Sequence, residues 1–248
     1  MSAIALYARA SAGFEDRVAN ALEVLRTAAI EHPGRIVQAT SLGAEDMVLS
    51  DLIARHRLPI AVGTLDTRML HAQTLALIGT IRERYAITVE VYRPEHDAVV
   101  HFVREHGPRA MFESLELRQG CCTIRKLQPL ARMLEARSAW VTGLRREQSS
   151  GRGTVRFSEP DQGRIKVNPL ADWGWADVWQ YIAEHDVPYN ALHDAFYPSI
   201  GCAPCTRAIA VGEYFRSGRW WWERTDAKEC GLHVKADKPA SSSLSSPA

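Results

Sequence analysis

The sequence has few of the features that mark exported or membrane-spanning proteins. Its 248 residues include only five cysteines, and this odd number argues against a disulfide framework. Its apolar runs all fall short of the roughly 18 residues of a membrane span. Arg9 interrupts the short apolar stretch at the N-terminus, so we expect no secretory signal. These absences predict a cytoplasmic protein without a membrane partner.

The sequence also has little net charge. A balance of only +1 argues against a general polyanion-binding protein, so we expect no nucleic-acid partner. The charge is unevenly distributed, because residues 118–166 hold eleven Lys and Arg against four acidic residues. This local excess predicts that an anionic ligand binds near that segment.

Strand-like and helix-like segments alternate through the first 143 residues. This order predicts an α/β fold, in which helices cover both faces of a mostly parallel sheet. The helices follow from apolar residues at spacings of three and four, and the strands from short β-rich runs. The predicted strands cover residues 35–40, 60–65, 87–92 and 139–143, and the predicted helices cover residues 15–31, 69–84, 97–106 and 123–137, with a further helix ending near His56.

The character of the chain changes after about residue 150, where loop-like segments rich in Gly, Trp and Pro follow. We predict one domain over residues 1–235. Its nucleotide-binding core covers about 15–150, and a C-terminal extension packed on that core covers about 151–235. Residues 236–248 are rich in Ser, Pro and Ala and are predicted to be disordered.

A ligand site is expected at the carboxyl ends of the predicted strands, where parallel sheets bind their ligands. Ser41-Leu42-Gly43 lies between a strand and a helix, so backbone N–H groups at the helix N-terminus are positioned to hold an anion. Asp66 follows the second strand, where it either holds a ribose or caps a helix. Gly143 ends the predicted strand that begins at residue 139, and Arg145 follows it.

Four of the five cysteines occur in two close pairs, Cys121-Cys122 and Cys202-x-x-Cys205, so four thiolates can converge on one centre. Adjacent cysteines suit an iron–sulfur cluster, which offers a separate iron to each thiolate, better than one tetrahedral zinc ion. Ordinary buried cysteines are the alternative interpretation. Lys126 lies one helical turn beyond Cys122 and brings a cation to this centre or to its substrate.

Cys230 stands apart from the two pairs, close to His233 near the C-terminus. A lone cysteine becomes a nucleophile when nearby basic groups lower the pKa of its thiol. The alternative is an incidental thiol in a loose tail.

Seven motifs together resemble the adenylyl-sulfate (APS) and phosphoadenylyl-sulfate (PAPS) reductase family over about residues 15–235. The resemblance implies an adenine-nucleotide α-hydrolase-like (Rossmann-like) fold and the reduction of an activated sulfate to sulfite. Family members with both cysteine pairs carry a 4Fe-4S cluster and mostly prefer APS. The resemblance therefore implies APS as the substrate here, with PAPS, or the use of both, as the alternative. The motifs are S-L-G-A-E-D (41–46), T-L-D-T (64–67), C-C-x-x-R-K (121–126), V-T-G-L-R-R-E-Q-S (141–149), N-P-L to P-Y-N (168–190), G-C-x-P-C-T (201–206) and E-C-G-L-H (229–233).

The resemblance also implies roles for individual residues. The cluster ligands would be Cys121, Cys122, Cys202 and Cys205. The catalytic group would comprise Cys230 as nucleophile with Lys126, Arg216, Arg219 and His233 around the phosphosulfate. The predicted substrate-binding residues are Ser41, Gly43, Leu65, Asp66, Gly143, Arg145 and Arg152, the last matched to a loop arginine of the family.

One motif departs from the family pattern, because the usual L-D-T-G-R reads Leu65-Asp-Thr-Arg68-Met69 here.

In the mechanism that the resemblance implies, Cys230 attacks the sulfur of APS and displaces AMP, and thioredoxin or a glutaredoxin-like dithiol then releases sulfite. The resemblance is also compatible with a homo-oligomer.

Two other classes of protein are weighed against this resemblance. A pyrophosphatase-loop enzyme that thiolates RNA shares the fold, but should show S-G-G-x-D-S at residues 41–46. A four-cysteine zinc module would instead bind nucleic acid through the basic stretch at residues 118–166.

Overall fold

The computed structural model describes residues 2–9 and 11–223. The second helix shows why the boundaries fall where they do. It begins after Gly13, whose φ of +73° favours glycine, and ends at His32 just before Pro33. The helices are α1 (Ala3–Tyr7), α2 (Phe14–Glu31), α3 (Ala44–Arg55), α4 (Ala72–Tyr85), α5 (His96–His106), α6 (Leu115–Cys122), α7 (Gln128–Leu134) and α8 (Trp175–His185).

The described strands form one six-stranded sheet in the order β3-β2-β1-β4-β6-β5. All neighbours run parallel except β5 and β6, which pair antiparallel at one edge. Because β1 lies near the centre, Val37 pairs with Ala61 on one side and with Trp140 on the other. The predicted α/β fold is therefore confirmed. The strands are β1 (Ile36–Thr40), β2 (Ala61–Leu65), β3 (Val89–Tyr92), β4 (Ala139–Val141), β5 (Ser158–Asp161) and β6 (Arg164–Val167).

The sheet continues past residue 150, where the sequence analysis did not predict strands. β6 pairs with β4 in parallel, so that Val167 lies opposite Val141. β5 contains Pro160 and three polar residues, a composition that sequence patterns do not assign to a strand. The division of the chain near residue 150 stays a prediction, although two strands from beyond it, β5 and β6, belong to the sheet.

The predicted helix at residues 123–137 is wrong in its details. α6 starts earlier, and a single π-helical turn at Thr123–Leu127 separates it from α7. Pro129 stands at the start of α7, where its missing N–H group is tolerated. The π turn changes the directions of Arg125 and Lys126 relative to a regular helix.

The C-terminal part of the described chain packs on the sheet through α8, which contacts α1 and α3. Tyr181 of α8 is buried, and its hydroxyl donates a 2.8 Å hydrogen bond to Asp51 of α3. The same carboxylate accepts from Arg55 at 3.1 Å. This polar contact fixes α8 against α3 inside an otherwise apolar interface. Among the described helices none is both long and apolar enough to cross a bilayer.

Tyr181→Phe is expected to lower the free energy of unfolding by about 1–2 kcal/mol, because it removes a hydrogen bond to a buried carboxylate. Urea titration measures the loss. Tyr189→Phe is the matched control, since its hydroxyl bonds to Asp194 at an exposed position and its removal should change stability by less than about 0.5 kcal/mol. Equal losses in the two variants would contradict this account of the α3–α8 contact.

Candidate active site

A cleft with a volume of about 230 Å³ opens beyond the carboxyl ends of β1, β2 and β4. This is the edge of a parallel sheet where ligands bind. Segments from the C-terminal part of the chain close its other side, so the walls combine residues distant in sequence. The predicted catalytic and substrate-binding residues that line the cleft are Ser41, Gly43, Leu65, Lys126, Gly143, Arg152, Arg216 and Arg219, and the predicted cluster ligand Cys202 lines it as well.

The loop from β1 into α3 forms one wall of the cleft. Leu42 is fully buried and has a φ of +62°, a strained conformation for a residue with a branched side chain. Ser41 donates from its backbone N–H and from its hydroxyl to Asp46, both at 2.6 Å. Gly43 precedes α3 without a capping side chain, so the first-turn N–H groups are suited to an anionic ligand.

Gly143 permits the close approach of this loop to the end of β4. A Cβ atom at residue 143 would lie 2.5 Å from Asp46 Oδ1 and 2.9 Å from the Cβ of Glu45. Burial raises the pKa of Asp46 to about 6, although the hydrogen bonds from Ser41 act in the opposite direction. A side chain at residue 143 would therefore displace a carboxylate that the loop already holds.

Arg145 belongs to the wall and does not line the cleft. Its side chain is 1% exposed, and its guanidinium donates to Glu45 at 3.0 Å and to the carbonyl of Trp173 at 3.3 Å. Burial alone would raise the pKa of Glu45, but Arg145 and Gln148 outweigh it and leave that pKa lowered. The structure thus gives Arg145 a fixed partner within the protein, and its role as a substrate ligand remains a prediction.

Asp66 is likewise not among the residues that line the cleft, and its predicted role in substrate binding stays a prediction. It accepts hydrogen bonds from the backbone N–H of Arg68 and from the side chain of Arg93, both at 3.0 Å. Arg68 stands where the family motif has glycine, and its φ of +61° explains that preference. Its side chain is 64% exposed and pairs with Asp66 at 4.0 Å. Asp66 therefore stabilises the turn after β2.

The four paired cysteines are buried together around a second, small cavity of about 10 Å³. Burial raises the pKa of Cys121 and raises that of Cys205 to about 11, and neighbouring thiols add to both shifts. Cys121 and Cys205 are therefore protonated and uncharged near pH 7 when no metal is bound. The lining residues are Met69, Met111, Arg118, Cys121, Cys122, Arg125, Lys126, Cys202 and Cys205.

The donor set of this cavity fits a Cys-ligated iron–sulfur cluster. Four thiols and three basic side chains line it, and the hydroxyl of Thr67 lies 3.2 Å from Cys202 Sγ. Within residues 2–9 and 11–223, no three His, Cys, Asp or Glu side chains are arranged around a single metal ion. A four-iron cluster takes one thiolate on each iron, so its ligands stand around a larger group than one ion. The basic side chains would balance the negative charge of the thiolates.

Lys126 connects the two cavities, because it lines both the cleft and the cysteine cavity. It lies on the π turn that follows Cys122. Cys202 lines both cavities as well. The sequence predicted a cation near the cysteines or near the substrate, and Lys126 lies at the cysteine cavity and also lines the cleft.

A buried ion pair that the sequence analysis missed holds the C-terminal side of the cysteine cavity. Arg118 is 1% exposed and donates to both carboxylate oxygens of Glu223, at 2.8 and 2.9 Å. The guanidinium carbons of Arg118 and Arg219 lie 4.7 and 4.5 Å from the ring centroid of Trp220. Residues about 100 positions apart show no shared local pattern, so only the fold reveals this arrangement. Cys230 and His233 lie outside the described residues.

Comparisons with known proteins show which family the chain resembles. Residues 35–208 match the sequence family described as "Phosphoadenosine phosphosulfate reductase domain". The chain is 52% identical to the "Adenosine 5'-phosphosulfate reductase" of Allochromatium vinosum over 90% of this chain and 88% of that protein. It is also 52% identical to the protein of the same name from Burkholderia cepacia, over 84% of each chain.

Two solved structures are similar in fold. The phosphoadenylyl-sulfate (PAPS) reductase of Candida auris, in a phosphate complex, superposes with a TM-score of 0.64 at 29% identity, covering 77% of this chain and 90% of that one. Yeast FAD synthetase in complex with FAD superposes with a TM-score of 0.57 at 13% identity, covering 81% of this chain and 70% of that one, a likeness of fold alone. The chain belongs to the phosphoadenosine phosphosulfate reductase domain family, which confirms the resemblance seen in the sequence.

Gly143→Ala is expected to lower the free energy of unfolding by about 1–3 kcal/mol, because the added methyl group meets the carboxylate of Asp46 and the Cβ atom of Glu45. Gly79→Ala in α4 is the control. Its Cβ would meet nothing within 4 Å, and the change should leave stability equal or raise it by up to about 1 kcal/mol. Urea titration of both variants measures the difference, and a Gly143→Ala protein as stable as the unaltered one would refute the close-approach argument.

Proposed function

We propose that the protein reduces adenylyl sulfate (APS) to sulfite and AMP. The observation that carries the proposal is the position of Lys126 and Cys202, which line both a cleft at the strand ends and the cavity of four thiols. The relatives from Allochromatium vinosum and Burkholderia cepacia, both named adenosine 5'-phosphosulfate reductase, support this substrate.

The adenylate part of APS would bind along the strand ends, beside Ser41, Gly43, Leu65 and Gly143. The N–H groups that follow Gly43 suit the phosphate of the adenylate, and the other backbone groups and the Ser41 hydroxyl suit its uncharged base and sugar. The phosphosulfate would extend towards the basic side chains of the same cleft. Lys126, Arg152, Arg216 and Arg219 line the cleft and would attract its anionic oxygens.

The first chemical step is the attack of the Cys230 thiolate on the sulfur of APS. A bond forms between Cys230 Sγ and the sulfuryl sulfur, and the bond from that sulfur to the bridging oxygen breaks. The electron pair of the broken bond leaves with AMP, and an S-sulfocysteine remains. Lys126, Arg216 and Arg219 would stabilise the charge that develops on the sulfuryl oxygens. The same field, with His233, would lower the pKa of the thiol.

The second step requires a dithiol partner, which we propose to be thioredoxin or a glutaredoxin-like protein. One thiolate of the partner attacks Cys230 Sγ, and sulfite leaves with the electron pair of the sulfur–sulfur bond. The partner's second thiol then resolves the mixed disulfide and regenerates Cys230. The partner is oxidised to a disulfide and thereby supplies the two electrons that sulfate reduction needs.

Cys121, Cys122, Cys202 and Cys205 would hold a 4Fe-4S cluster. When bound, it would join the two cysteine segments and add its electrostatic field next to the substrate. Because the partner dithiol supplies the electrons, the reaction needs no redox change at the cluster. Lys126 would then lie between the cluster and the phosphosulfate, where its charge acts on both.

PAPS is the second candidate substrate, because the matched family and the Candida auris enzyme are both named for it. It differs from APS by a phosphate on the ribose 3′ position. The two cysteine pairs favour APS through the family resemblance, so kcat/KM for APS is expected to exceed that for PAPS. The cytoplasmic location and a homo-oligomeric state remain predictions.

Cys230→Ser is expected to bind APS with the affinity of the unaltered protein and to release no sulfite above background, since a hydroxyl at this position is a far weaker nucleophile. The assay measures sulfite with APS and reduced thioredoxin, alongside the dissociation constant for APS. Ser242→Ala, in the same C-terminal segment, is the control and should release sulfite normally. Normal turnover by the Cys230→Ser protein would exclude the proposed nucleophile.

A further inference from the structure

His193 lines the cleft but belongs to none of the groups described so far. Its side chain is buried, with only 3% of the residue exposed. Neither ring nitrogen makes a hydrogen bond of normal geometry with a described residue, although the backbone of Tyr197 lies close enough to favour protonation slightly. A buried imidazole at the wall of a cleft therefore has two polar atoms without a strong partner in the protein.

The segment that carries His193 is held firmly. The residue lies on a 3₁₀ helix at Ala191–Ala195, and Asn190 caps it by accepting a hydrogen bond from the N–H of Leu192 at 3.1 Å. The amide of Asn190 donates to Thr74 at 2.8 Å and ties the turn to α4. The imidazole packs edge-on against Trp179, with ring centroids 5.2 Å apart. The imidazole is thus fixed before any ligand binds.

Burying the His193 imidazole without hydrogen-bond partners among the described residues costs free energy of folding, so stability alone does not explain a histidine at this position. A buried polar atom without a partner loses its hydrogen bonds to water and gains none in return. A phenylalanine would fill the same space and keep the aromatic contacts without that loss. Positions at which a local rule is broken without a structural gain are expected at functional sites. The missing partners of His193 are therefore expected in the ligand that fills the cleft.

The charge state of the imidazole limits the kind of ligand atom that it can contact. Burial lowers the pKa of His193 to about 4, so the ring is neutral near pH 7, with one N–H donor and one nitrogen acceptor. Glu45 is negatively charged and lies close enough to act on the ring. An anionic oxygen next to both would be repelled, whereas a hydroxyl group suits a neutral donor and acceptor.

We propose that His193 binds a ribose hydroxyl of the adenine nucleotide and so fixes the sugar in the cleft. The proposal rests on the function proposed above, because that function brings a nucleotide to this cleft. It assigns His193 a binding role that is separate from the cysteines and from the basic residues at the phosphosulfate.

The test compares dissociation constants for AMP, 2′-deoxy-AMP and 3′-deoxy-AMP. The unaltered protein should bind AMP about tenfold more tightly than one of the two deoxy nucleotides, the size of effect expected for one hydrogen bond to a buried group. His193→Phe should lose about tenfold in AMP affinity and show no remaining discrimination against that deoxy nucleotide. His193→Gln, which keeps a donor and an acceptor, should retain part of it.

His71→Phe is the matched control. His71 also has a buried Nε2 atom without a partner among the described residues, but its side chain does not line the cleft. This variant should bind all three nucleotides as the unaltered protein does. Thermal unfolding distinguishes a binding role from a structural one. If His193 serves binding, His193→Phe should leave the melting temperature equal or higher. If His193 serves the fold, the same substitution should lower the melting temperature.

The outcomes separate this inference from the proposed function. An unaltered protein that does not bind AMP would reject the nucleotide cleft, and with it both proposals. Unchanged AMP affinity in His193→Phe, or an equal loss for all three nucleotides, would overturn the role of His193 alone. A lower melting temperature with unchanged discrimination would show that His193 serves the fold.

Discussion

Four buried thiols from two segments about 80 residues apart share one cavity, and the remaining site is arranged around that junction. Burial raises the pKa of the Cys121 and Cys205 thiols, so these two are uncharged near pH 7 until a ligand binds them as thiolates. The positive charges of Arg118, Arg125 and Lys126, which line the same cavity, would then stabilise the negatively charged thiolates. The same junction places Lys126 and Cys202 in the wall of the cleft, where substrate chemistry is proposed.

Charged residues at the cleft divide into two groups with different tasks. Arg145 and Asp66 are held in ion pairs within the wall, and these pairs fix the loops after β4 and β2. Lys126, Arg216 and Arg219 line the cleft itself. The first group shapes the site, and the second provides the field that an anionic substrate meets. His193, neutral and rigid, adds a contact of a third kind.

Local patterns predicted much of the fold and part of the site. The first four strands follow from short β-rich runs, and the position of Ser41 and Gly143 follows from the rule that ligands bind at strand ends. β5 was missed because its composition is polar and contains Pro160. The direction of a long side chain was also beyond sequence reasoning. Arg145 and Arg146 are adjacent, and only tertiary contacts show that Arg145 points to Glu45 while Arg146 bonds to the carbonyl of Val155.

The measurement that tests the account most directly is the intact mass of anaerobically prepared protein, free of reductant, after mixing with APS and separately with PAPS. The account predicts a sulfonate adduct from APS, and peptide mapping should locate it on Cys230. An adduct formed only from PAPS would contradict the proposed substrate while keeping the nucleophile. The absence of an adduct from both nucleotides would contradict the mechanism.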